Sequence, residues 1–113
     1  MDCIFCKIAN KEIPSNIVYE NDTVIAFHDL DPKAPVHVLV IPKKHISSWN
    51  GLSTADGETL VQIALAVQEV AKICGIYESG YRVVNNCGVD GGQTVGHLHF
   101  HVLGGREMLW PAG

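Results

Sequence analysis

The sequence has no apolar run near the ~18 residues that a membrane-spanning helix needs. Its opening, Met1-Asp2-Cys3-Ile4-Phe5-Cys6, has neither a basic n-region nor a long apolar stretch. A secretory signal is therefore not expected, and the expected location is cytoplasmic. Charge is sparse: charged residues make up 18% of the chain and the net charge is −4. Without a basic surplus, neither nucleic acid nor an anionic membrane is an expected partner. No Gly-Lys-Ser/Thr phosphate loop and no Gly-x-Gly-x-x-Gly fingerprint occurs. Repeats, linkers and low-complexity segments are missing too.

What is there is a globular composition. The chain has 113 residues, 47% of them hydrophobic. One domain over residues 1–113 is expected, burying roughly two-thirds of its unfolded surface. The four cysteines are Cys3, Cys6, Cys74 and Cys87. Outside a secretory context they do not form a disulfide framework, and Cys3-x-x-Cys6 points to metal or redox chemistry. The six histidines are His28, His37, His45, His97, His99 and His101. Three of them fall within five residues.

Hydrophobic periodicity gives a coarse map. Residues 4–9 suit a short helix ahead of Ile13-Pro14. Residues 17–20 and 23–29 are β-rich and separated by the turn pair Asn21-Asp22. Val36 to Ile41 is a near-continuous apolar run and predicts a buried strand ended by Pro42. Ser53, Thr54 and Asp56 offer N-capping oxygens to one long helix. Its apolar face is Leu60, Ile63, Ala64, Val67, Val70, Ala71 and Cys74, and Gly75 stops it. Residues 80–86 and 95–103 predict the last two strands, with a glycine-rich turn between them. The fold class is α+β and strand-dominated, not a repeating βαβ pattern.

The last strand reads His97-Leu98-His99-Phe100-His101-Val102-Leu103. A strand's two-residue period puts His97, His99 and His101 on one face, about 6–7 Å apart. Leu98, Phe100 and Val102 take the core face. Packing alone does not explain three imidazoles, because each wants a hydrogen-bond partner. Two chemistries fit the row. One is a metal site. The other is phosphoryl or nucleotidyl transfer, with a neutral imidazole as nucleophile and a protonated neighbour to stabilise or protonate. The preceding loop, 86–96, holds Gly88, Gly91, Gly92 and Gly96 with Gln93 and Thr94. Its backbone N–H groups can approach a phosphate, although a plain glycine turn explains the composition as well.

His97 to Leu103 resembles the signature of the histidine triad (HIT) family. Phe27 to Leu30, Ala34 to Ile46 and Asp90 to Val95 resemble it too. The tail Gly104-Gly105-Arg106-Glu107-Met108-Leu109-Trp110-Pro111 is similar to its nucleoside phosphoramidase branch, the histidine triad nucleotide-binding proteins. The resemblance implies a five-stranded antiparallel sheet with one long helix and a short N-terminal one. It implies a homodimer with a ten-stranded sheet, and hydrolysis of purine nucleoside monophosphate conjugates. It makes His99 the nucleophile, its other ring nitrogen fixed by a partner such as a backbone carbonyl. It puts His101 on the phosphate, His37 behind the triad as a proton relay, and His97 in the catalytic group. Asn86, Gly92, Gln93 and Thr94 become the phosphate and leaving-group side. Asp29 becomes the ribose acid, and Phe27, His28 and Leu30 the base walls, to which Ile25 or Ile41 would add. Trp110 is expected to reach a partner subunit's site. Cys87 and Gly96 depart from the residue types frequent in the family and leave side-chain preference open.

Cys3 and Cys6 have three readings: a buried pair of small hydrophobes, a redox pair without its usual βαβ context, or half of a zinc site. Resemblance to family members with this N-terminal pair adds His45 and His97 as the other ligands. The zinc would be structural, with no cofactor needed for the chemical step. If His97 holds zinc it is not a free proton donor, and it instead supports His99. Competing readings are a dinucleoside polyphosphate hydrolase, a binding module with vestigial catalysis, and a hydrolase with zinc on all three strand histidines. Lys43 and Lys44 are expected on a solvated edge.

Overall fold

The computed structural model describes residues 3–113. Helix α1 (Ile4–Ala9) comes first, followed by strands β1 (Ile17–Glu20), β2 (Val24–His28) and β3 (Val36–Pro42). Two single-turn 3-10 segments, Trp49–Gly51 and Thr54–Asp56, lead into α2 (Gly57–Ile73). Strands β4 (Tyr81–Val84) and β5 (Phe100–Gly104) complete one sheet of order β1-β2-β3-β5-β4. Every pairing is antiparallel. Among the described residues no helix is long and apolar enough to cross a membrane.

Local chemistry sets these elements. Asn21 turns the β1–β2 hairpin by accepting from the Thr23 and Val24 amides at 2.8 and 2.9 Å. Ser53 and Asp56 form a reciprocal capping box, and the first turn after Ser53 is 3-10, so α2 proper starts at Gly57. The buried face of α2 is Ile63, Ala66, Val67, Val70 and Ala71. Ala66 takes the place expected of Ala64, which points to solvent.

The sheet is covered on both faces, which explains why β3 is apolar apart from His37. Val38, Val40, Leu98, Phe100 and Val102 pack under α2. Ile25, Phe27, Leu39 and Ile41 pack with Phe5 and Ile8 of α1 on the opposite face. Each fully buried Val or Ile contributes about 1.5–3 kcal/mol.

Strand β5 is shorter than residues 95–103. Its ladder begins at Phe100, and β4 stops at Val84, two residues short of Asn86. The segment before Phe100 finds partners off the ladder: the Leu98 amide donates to the Ile46 carbonyl at 2.6 Å, and Asn85 donates its amide to the His99 carbonyl at 2.9 Å. The two-sided alternation survives. Leu98 joins the α2 core, while the His97 and His99 rings pack against Phe5 of α1.

Candidate functional site

A cavity of about 310 Å³ opens on the α1 face of the sheet. Ile4, Phe5 and Ile8 of α1 form one wall, with Ile13, Phe27, Leu39 and Val95 around it. Asp29, Thr94, His99 and His101 supply its polar end. The expected base and ribose residues Phe27, His28, Asp29 and Leu30 all line it. Leu30 is 98% exposed, so as a wall it is a flap at the mouth. Ile25 and Ile41 are wholly buried and do not line it.

Of the remaining expected contacts, Thr94, His99 and His101 line this cavity, whereas Asn86, Gly92, Gln93 and Trp110 do not. Gln93 commits its side chain to its own loop and to Ser47. Its side-chain N–H groups donate to the Ser47 and Val95 carbonyls at 2.8 and 3.0 Å, and its oxygen accepts from Gly88 N–H at 3.1 Å. Asn86 donates to the Gly91 carbonyl at 2.7 Å. Gly92 sits at φ +78°, and a Cβ on Gly91 would lie 2.2 Å from the Cys87 carbonyl oxygen, so this loop is a tight stapled turn. Trp110 is 83% exposed on the tail, where Arg82 donates to the Leu109 carbonyl at 2.8 Å. Lys43 and Lys44 are paired, with Glu20 at 2.7 Å and Asp56 at 2.6 Å.

The α1 wall was not expected from the chain. Its only signal is the i, i+1, i+4 spacing of Ile4, Phe5 and Ile8, which reads equally as core. Asn85, which holds the His99 carbonyl, carries no signal beyond its neighbour Asn86.

Ring tautomers follow from the hydrogen bonds. His99 Nδ1–H donates to the His97 carbonyl at 2.8 Å, leaving Nε2 with a lone pair. Among the described residues that Nε2 has no partner, and it is not sealed from solvent. The Lys33 amide donates to His37 Nδ1 at 3.0 Å, so the His37 proton is on Nε2. His37 Nε2–H donates to His101 Nδ1 at 2.8 Å, which leaves His101 an Nε2–H donor. The His99 and His101 rings are 5.2 Å apart. Burial, then the neighbouring His99 and His37, holds His101 down at about 4 despite Asp29. Near neutral pH His101 is therefore an uncharged N–H donor, not the imidazolium expected beside a nucleophile. Burial lowers His37 as well. Asp29 accepts from the Asp31 amide at 2.8 Å and lies 3.4 Å from His37 Nε2, which leaves lone pairs on both oxygens.

On the other side of His99, Cys3, Cys6, His45 and His97 converge, all four donor atoms lying within 4.8 Å of one another. Cys3 Sγ and Cys6 Sγ are 3.3 and 3.6 Å from His97 Nδ1, and Cys6 Sγ is 3.3 Å from His45 Nδ1. The S···N edge of a zinc tetrahedron is about 3.6 Å for Zn–S near 2.3 Å and Zn–N near 2.0–2.1 Å. His97 Nε2–H donates to the Pro42 carbonyl at 2.8 Å, which turns the Nδ1 lone pair to the cluster. Burial keeps His97 neutral, as a ligand must be. Burial first and Cys3 second push the Cys6 thiol up, so two adjacent thiolates need a cation. The donor set and spacing fit structural zinc. With His97 in this cluster, zinc on all three triad histidines is excluded by geometry: the His99 and His101 nitrogens point elsewhere.

A family model of the HIT domain matches residues 10–108. This chain belongs to the HIT family. A 14 kDa zinc-binding protein of Zea mays is 49% identical over 113 residues, covering 97% of this chain and 87% of the relative. A HIT family hydrolase from Legionella pneumophila superposes with a TM-score of 0.96 at 47% identity, covering 99% of this chain and all of that one. A histidine triad nucleotide-binding protein from Candida albicans superposes at 0.82 with 36% identity, covering 89% of this chain and 73% of that one. In HIT terms the triad is His97, His99 and His101. Its first member faces the metal cluster, its second the cavity, and its third bridges the cavity to His37.

Proposed function

We propose that this HIT protein is a purine nucleoside phosphoramidase working through a nucleotidyl-histidine intermediate. One observation carries the reading. His99 presents an unpartnered Nε2 to the cavity with its Nδ1 proton committed to the His97 carbonyl, beside the Nε2–H donor of His101.

The chemistry follows. The apolar wall takes the base, and the free lone pairs of Asp29 accept from the ribose hydroxyls. His101 Nε2–H donates to a phosphate oxygen. His99 Nε2 attacks the α-phosphorus, forming an N–P bond as the bond to the leaving amine breaks. The developing positive charge on His99 is carried by Nδ1–H on the His97 carbonyl. The amine leaves with a proton drawn from solvent, while neutral His101 keeps its Nε2–H on the phosphate oxygen, oriented by the His37 Nε2–H at its Nδ1. A water then attacks phosphorus, its proton returns to solvent as the His99–phosphorus bond breaks, and the nucleoside monophosphate leaves with the His99 Nε2 lone pair restored. Zinc, when bound, supplies no chemistry to this route and holds Cys3, Cys6, His45 and His97 together.

The phosphoramidase choice over dinucleoside polyphosphate hydrolysis rests on the tail from Gly104 to Pro111, which resembles that branch. The protein acts as a homodimer in this reading. Strand β4 is an open sheet edge, Val83 on it is 46% exposed, and an apolar groove runs beside it between α2 and Trp49. Pairing of β4 with its copy makes the ten-stranded sheet and brings the exposed tail with Trp110 toward the other subunit.

The test is hydrolysis of a fluorogenic adenosine 5′-phosphoramidate. Wild type turns it over and a folded His99→Ala does not. A folded wild type without turnover removes the phosphoramidase reading and favours a binding module.

A further inference from the structure

The metal cluster and the cavity share one short piece of chain. Cys3 and Cys6 are metal donors. The two residues between them, Ile4 and Phe5, both line the cavity, as does Ile8 one turn on. Phe5 is 7% exposed, and its ring meets three others edge-on: Phe27 at 5.7 Å, His97 at 5.9 Å and His99 at 5.2 Å. It thus touches a metal ligand, the proposed nucleophile and the proposed base wall at once. A second link runs through one residue, because His97 gives its side chain to the cluster and accepts from His99 Nδ1–H at its carbonyl.

A six-residue helix is too short to hold its shape alone. Its fixed points are the Cys3 and Cys6 sulfurs and the packing of Phe5 and Ile8. Without metal, the Cys3 and Cys6 side chains reach His45 and His97 only through sulfur contacts of 3.3–3.6 Å, beside the segment's own backbone bonds and the core packing of Cys3 and Phe5. A nucleotide against Ile4, Phe5 and Ile8 orders the same residues that the metal orders.

We infer that zinc binding at Cys3, Cys6, His45 and His97 and nucleotide binding at the cavity are coupled, with Phe5 the positioning residue that carries the coupling. This rests on the nucleotide reading of the cavity. Whatever factor zinc gives to nucleotide affinity, the nucleotide must give to zinc affinity, because the coupling free energy is shared. The zinc cluster then acts as a gate on substrate binding as well as a support.

The experiment measures both arms on the full chain with AMP and zinc as the probes. Calorimetry gives the AMP Kd with zinc bound and after its removal. Competition with a chromogenic chelator gives the zinc Kd with and without saturating AMP. AMP binding is expected to weaken at least tenfold on zinc removal, and zinc binding to tighten by the same factor with AMP. In Phe5→Leu, which keeps an apolar side chain, the zinc Kd without nucleotide stays within a few-fold of wild type and the coupling factor drops toward one. Affinities that are independent within twofold overturn the coupling while leaving the nucleotide reading intact. A full coupling factor in Phe5→Leu overturns the assignment to Phe5 and leaves global folding as the route. No AMP binding to either form removes the nucleotide reading and the coupling with it.

Discussion

Two clusters of metal-type donors flank His99, and they look alike as lists of residues. One is Cys3, Cys6, His45 and His97; the other is Asp29, His37 and His101, and each set of donor atoms lies within 4.8 Å. Hydrogen-bond direction tells them apart. At His97 the ring donates Nε2–H to the Pro42 carbonyl, so Nδ1 offers a lone pair to the cluster. At His37 the Lys33 amide donates to Nδ1, so Nε2 carries a proton into its cluster. A neutral imidazole cannot ligate through a protonated nitrogen. The first cluster is built for a cation and the second for passing a hydrogen bond to His101. A single backbone partner behind each ring decides which, and His99 sits between the two, its own ring set by the His97 carbonyl.

The comparison can be broken from the middle first. His99→Ala removes the group both clusters serve, and turnover of a phosphoramidate should fall by roughly 10⁴-fold or more. Its zinc content should stay at wild type, read by metal analysis of the folded protein. Next comes the metal side. Stripping zinc should lower the stability read from urea midpoints by about 4 kcal/mol where free zinc stood at a thousandfold its Kd. Cobalt in its place should show a thiolate charge-transfer band that Cys6→Ser weakens. Thiolate-free cobalt spectra would place the ion at the Asp29 cluster and reverse the assignment.

The relay side is expected to give a smaller effect. His37→Leu removes a donor to His101, a loss worth about 1–3 kcal/mol, so kcat/KM should drop roughly 10–100-fold with zinc stoichiometry unchanged. The smallest effect is in acid. His101 is held at about 4 against an ordinary 6.5, so the unfolded chain binds the extra proton between those values. Its contribution to stability is full above pH 6.5 and is lost as pH falls toward 4. The urea midpoint of His101→Gln should fall less steeply than that of wild type over this window. Parallel slopes would contradict the buried, neutral His101.

The alternation of His97, His99 and His101 with Leu98, Phe100 and Val102 was legible because a two-residue period is visible in any chain that covers one face with core. The long helix and its cap at Ser53 were legible for the same local reasons. The end of the β5 ladder at Phe100 was not, because it depends on Ile46 and Asn85 reaching residues distant in sequence. Gln93 reads as a phosphate contact through the family resemblance, yet Ser47, far off in the chain, takes one of its donors. The α1 wall was hidden because Ile4 and Phe5 look like core until β2 and β3 place Phe27 and Leu39 opposite them. The tautomers of His37 and His97 depend on the backbone amide of Lys33 and the backbone carbonyl of Pro42, which no side-chain signal marks.

The most direct test is to trap the intermediate. Wild type is mixed with an adenosine 5′-phosphoramidate, quenched in denaturing base within one turnover, digested and mapped by mass spectrometry. The account predicts an adenylyl group on His99 that His99→Ala lacks and His37→Leu forms more slowly. Single-turnover product formation with no adenylyl adduct, or an adduct on His101 or His97, would contradict it.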